Sequence, residues 1–141
     1  MKLFFTFLLA TIIGGAVLVT LHAQASTPAS SGVYTTEQAA RGSEFYQSKC
    51  SSCHGNDLSG GGTSPGLAGP DFTAKWSGRP VAALFDSIHT SMPSDHPGTL
   101  TTQQVVDLIA FLLKANSFPA GKIELPGNAD RLKTILIDSD Q

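Results

Sequence analysis

Two stretches of the chain place their buried-type residues at helical spacing. In the first, Ala39, Gly42, Phe45, Tyr46 and Lys49 follow one another at intervals a helix can use to turn one face inward. Thr35 with Gln38 three residues later forms a capping-box pattern ahead of them, which predicts a helix over about Thr36 to Lys49. In the second, Val105, Leu108, Ile109 and Leu112 share one stripe with Phe111 beside it, behind a repeat of the same box at Thr101 and Gln104. This is the strongest helical signal, over about Thr102 to Ala115. A shorter periodic run, Val81, Leu84, Phe85 and Ile88, follows Pro80, a residue suited to the first position of a helix, and predicts a helix ending near His89. Between the first two helices in sequence, Gly55 to Asp71 carries six glycines and two prolines with no periodicity. So long an irregular segment reads as a loop wrapped over something. Beyond Asn116, the tail from Ser117 to Gln141 is broken by Pro119, Gly121, Pro126 and Gly127, and its Leu132 to Ile137 fits a helical turn or an edge strand equally well.

The N-terminal residues follow a different pattern. Leu3 to Leu21 is an uncharged, almost wholly apolar run after the single charge of Lys2, and it ends near the small-x-small sequence Ala23-Gln24-Ala25. Residues 1–25 therefore read as an export signal. An uncleaved membrane anchor is the alternative, since the run approaches the ~20 residues that span a bilayer. Ser26 to Gly32 is polar and small, so 26–34 is expected to be a linker. The folded unit is expected over 35–116, with 117–141 as a C-terminal tail packing on it or extending from it. Within 141 residues there is room for one small domain. Loss of the leader leaves eight basic and eleven acidic side chains, a net charge of −3 without a basic block, which disfavours a nucleic-acid surface.

The two cysteines are too few for a disulfide-stapled scaffold, and they stand together in Cys50-Ser51-Ser52-Cys53-His54. C-x-x-C-H is the attachment signature of c-type haem: two thiols at this spacing form thioethers with one porphyrin, and the adjacent imidazole serves as proximal iron ligand. Three other readings compete. A thioredoxin-like dithiol requires a preceding strand, whereas an amphipathic helix precedes Cys50. Structural zinc requires four ligands, and His89 and His96 are distant and have six residues between them, outside the usual spacing. A plain disulfide leaves His54 without a role. For the second axial position Met92 is the first candidate, being the one methionine after removal of the leader, in the loop Ser91-Met92-Pro93. His89 and His96 are its rivals. Gly60-Gly61-Gly62 lacks the Lys-Ser/Thr of a phosphate-binding loop and reads as a flexible turn. Asp57, Asp71, Asp86 and Asp107 are scattered singly and read as solvated or capping residues, and Lys75 and Arg79 as exposed charges.

With these residues in hand, the chain resembles a class I c-type cytochrome over about Thr35 to Ala115. Beyond the attachment motif, Gly42, Tyr46 and Cys50 are similar to that family's first helix and Asp107 to Leu112 to its last. The resemblance implies an all-α fold, three to four helices and long loops around one covalently bound haem c, with the first and last helices crossing near Leu108 and Phe111. It implies that a proline carbonyl in the loop Pro65-Gly66-Leu67, or that of Pro70, accepts the proton of the His54 imidazole, and that Trp76 lies near a propionate or lines the pocket. The implied function is an exported, monomeric, periplasmic carrier of single electrons through a haem ligated by His54 and Met92, meeting a redox donor and an acceptor transiently. It would touch a membrane only if the leader stays attached. Alternatives are a cytochrome subunit or dedicated acceptor of a periplasmic dehydrogenase, with the tail as docking segment, and a peroxidase or diatomic-ligand sensor with an open sixth position.

Overall fold

In the computed structural model the residues described are 25–138, so the apolar leader lies outside them. Helix α1 (Thr36–Lys49) and helix α5 (Thr102–Ala115) form where periodicity predicts, and their crossing is the main packing contact of the molecule. Gly42 explains how closely they meet, because a Cβ there would run into the Asp107 backbone carbonyl and the Phe111 side chain. One turn further on, Tyr46 meets Phe111 with ring centroids 5.2 Å apart at 45°. Around this crossing stand α2 (Ser51–His54), α3 (Pro70–Trp76), α4 (Val81–Ser91) and α6 (Ala129–Thr134). Two short strands, β1 (Thr27–Pro28) and β2 (Ile135–Leu136), pair in parallel. The chain is thus mostly helical. No helix among the described residues is long and apolar enough to cross a membrane.

Several expectations are corrected. The capping box at Thr101 is complete, with the Gln104 side chain accepting from the Thr101 N–H at 2.8 Å and the Thr101 hydroxyl accepting from Gln104 N–H at 3.3 Å. At Thr35 only the hydroxyl half forms. The Gln38 amide is instead fully buried and clamps the tail, donating to Leu125 O at 3.0 Å and accepting from Leu125 N–H at 2.7 Å. A buried amide needs both partners, and the tail backbone supplies them. Pro80 precedes α4 rather than opening it: its backbone is extended because it bridges Leu136, while its carbonyl accepts from Ala83 N–H at 2.9 Å. Helix α3 was not expected, since only seven residues at the end of a glycine-rich loop carry it.

The segment expected as a linker is built into the fold. It holds β1 and a 3₁₀ turn at Ala29–Ser31, and Ala29 is fully buried. The tail packs back on the domain through Phe118, Leu125, Leu132, Ile135 and Ile137, all buried, and Tyr34 ties the two ends together by donating to Phe118 O at 2.6 Å. Leu132 to Ile137 turns out to be both a helical turn and a strand. Asp107 is neither solvated nor capping. It is 6% exposed and takes a two-pronged bond from Arg41, at 3.0 Å on each oxygen, and one from the Gln103 amide at 2.8 Å.

Candidate functional site

Helix α1 ends at Lys49, Cys50 steps out of helical geometry, and α2 follows at once, carrying Cys53 and His54. The loop that follows doubles back on itself. Gly60 takes a φ of +82° and donates to His54 O at 2.9 Å, and a Cβ there would meet the backbone of Ser64 to Gly66. Leu67 N–H closes the loop on Leu58 O at 2.8 Å. The glycine run forms a turn, with Gly61 bridging Ser64, and the loop brings Pro65 O to 3.0 Å from His54 Nδ1. Pro70 lies beyond the loop, at the start of α3. A carbonyl only accepts, so Nδ1 carries the imidazole proton and Nε2 keeps the lone pair a metal needs. Sequence reasoning missed Tyr46 as part of this support. Its hydroxyl donates to Gly55 O at 2.7 Å, pinning the residue after His54, and burial pushes the phenol up to about 12, with the nearby Cys50 and Asp57 adding to the rise. Its place four residues before Cys50 was the available signal.

Cys50, Cys53, His54, Pro65, Trp76 and Met92 all line one cavity of about 420 Å³. Its other walls include Leu84 and Ile88 of α4, Leu100, and Leu108 and Leu112 of α5. Met92 enters as the residue that ends α4, with its N–H on Ile88 O at 3.0 Å. Neither rival histidine is among the lining residues: the His89 ring stacks on Phe85 with centroids 5.4 Å apart, and the side chain of His96 is 73% exposed beside Asp95. Cys50 is half-buried, and desolvation followed by the Cys53 charge pushes its thiol up to about 11. Trp76 is buried, and Lys75 and Arg79, both exposed as expected, place the ammonium and the guanidinium each 5.0 Å from its ring centroid. Among the described residues no group of three or more His, Cys, Asp or Glu side chains is placed to hold a metal ion.

The donor set fits a haem. Two thiols, an imidazole with its distal nitrogen free to ligate and a thioether face one apolar-walled space, in the size range of small-molecule and cofactor pockets. A second hollow of about 290 Å³, between α3, the end of α5 and the tail, contains none of these donors.

Residues 37–112 match the family model described as cytochrome c oxidase, cbb3-type, subunit III. No curated protein matches the sequence. Among solved structures, a chain in the crystal structure of the sulfane dehydrogenase SoxCD from Paracoccus pantotrophus is similar, with a TM-score of 0.50 and 25% identity over 76% of this chain. The match spans 59% of that chain. More than half of the sequence lies within the family match, and its mostly helical fold agrees with it, so the protein belongs to the family of cytochrome c oxidase, cbb3-type, subunit III, and is a redox cytochrome of class I c type.

Proposed function

We propose that the protein is an exported, periplasmic, monomeric carrier of single electrons that holds one haem c through Cys50 and Cys53, with His54 and Met92 as the axial ligands. The observation that carries this reading is the gathering of those four side chains on one cavity of about 420 Å³. Haem c bound there supplies a one-electron ferric/ferrous couple. The chain's own residues do the rest. Pro65 O fixes the His54 tautomer, so the ligating nitrogen is held ready rather than selected on binding. A thioether from Met92 favours the ferrous state and raises the potential. Leu84, Ile88, Leu108 and Leu112 exclude water and give the cavity a low dielectric. Were the iron held by both His54 and Met92, no position would be left for a substrate, and electrons would pass without a substrate bond being made or broken.

A dehydrogenase as electron donor is the second reading, supported by the likeness to a chain of a sulfane dehydrogenase. Such encounters are brief and use small interfaces, often below ~1,200 Å². The tail is less suited to docking than its sequence suggests, because most of its apolar side chains are committed to the core, leaving Ile123 at 78% exposure as the exception.

The test is the absorption spectrum of the matured, oxidised protein. Sulfur ligation gives a red charge-transfer band, and Met92→Ala is expected to abolish it while leaving the haem attached. Rapid carbon monoxide binding by the unaltered ferrous protein would instead support an open-site enzyme or sensor.

A further inference from the structure

Strand β2 lies between two partners. On one side it pairs with β1; on the other, Leu136 bridges Pro80, Gly78 N–H donates to Ile137 O at 2.7 Å, and Ile137 N–H donates to Arg79 O at 2.9 Å. The segment gripped in this way, Gly78 to Pro80, lies in the connection between Trp76, which ends α3, and α4, which is capped at its C-terminus by Met92. Both Trp76 and Met92 line the cavity. Helix α6 and β2 also pack against α4, and Ile137 is 1% exposed.

We infer that the C-terminal strand is a brace that positions Met92, acting through the Gly78–Pro80 turn at the root of α4. Leverage makes the connection consequential. An 11-residue helix is about 16 Å long, so a pivot of roughly 10° at Pro80 carries its far end by about 3 Å. A ligand bond tolerates a few tenths of that. Without β2, the turn's Gly78 N–H and Arg79 carbonyl lose their partners and Pro80 is free to pivot. Ile137 and Gly78 are positioning residues here, since neither lines the cavity. The inference rests on Met92 being an axial ligand.

Three variants of the full-length holoprotein test it. Ile137→Pro deletes the N–H given to Arg79 while keeping an apolar side chain. A chain ended after Thr134 removes β2 altogether. Ile137→Val keeps both backbone bonds and serves as control. The first two are expected to bind carbon monoxide in the ferrous state about tenfold or more faster than the parent, as expected when a buried hydrogen bond is lost from a closed state. They should also lose the red charge-transfer band at lower temperature than their helical circular dichroism, and Ile137→Val should behave as the parent. In the unaltered protein, the band and the hydrogen-exchange protection of the Ile137 amide are expected to disappear together as denaturant is raised, before the amides of α1 and α5 open. A band that outlasts the Ile137 protection, or brace variants that bind carbon monoxide no faster, overturns the brace while leaving Met92 ligation intact. A parent without the band overturns the ligation and the brace with it.

Discussion

Tyr46 shows how one side chain serves both packing and chemistry. Its ring meets Phe111 at the helix crossing and its hydroxyl holds Gly55 O, so the residue after His54 is anchored to α1. Tyr46→Phe keeps the ring and leaves that carbonyl only its longer bond from Leu58 N–H, at 3.3 Å, at an expected cost of about 1 kcal/mol in urea unfolding. The phenol's folded pKa is raised from 10.0 to about 12, mainly by burial. Stability from keeping it neutral is therefore complete below pH 10 and is lost as the pH rises towards 12. Unfolding curves across that window should show an alkaline loss in the parent that is smaller in Tyr46→Phe. At this scale the residues that share the cavity were legible in the sequence, because few residue types can attach or ligate a haem and the chain offers few copies of them. The choice between Pro65 and Pro70 was not, since every residue carries a carbonyl and only the fold of the glycine loop decides which one reaches His54. The burial of Asp107 was equally hidden: its partner Arg41 lies 66 residues away.

Among elements, the crossing of α1 and α5 holds the attachment motif on one side of the cavity and its apolar wall on the other helix. Gly42→Ala forces a methyl group onto a backbone carbonyl that cannot swing aside. The expected loss is at the upper end of the 1–3 kcal/mol typical of overpacking, read as a lowered urea midpoint with unchanged slope. Both helices were legible from periodicity and caps, because each buries one face along its whole length. Helix α3 and the pairing of β1 with β2 were not. Seven residues carry too little periodicity to stand out, and a strand of two residues is defined by its partner more than a hundred positions away. Gln38 illustrates the same limit from the other direction: its spacing from Thr35 suggested a cap, but the buried Leu125 backbone offered its amide two better bonds.

At the scale of the molecule, the ends close the structure. The segment before Tyr34 and the tail after Asn116 pair with each other and with the root of α4, so the folded unit extends beyond the helices that the family pattern covers. Charge is nearly balanced over the whole chain, at −2; Lys49 and Lys75 line the cavity, and Lys75 and Arg79 sit against Trp76. One cavity has Cys50, Cys53, His54 and Met92 among its lining residues. The most direct measurement is the intact mass, under denaturing conditions, of protein matured in a host that attaches haem. One added haem that survives denaturation, and is no longer retained when Cys50 and Cys53 are both changed to Ser, is the predicted result; an unmodified polypeptide mass, with no porphyrin absorbance, would contradict it.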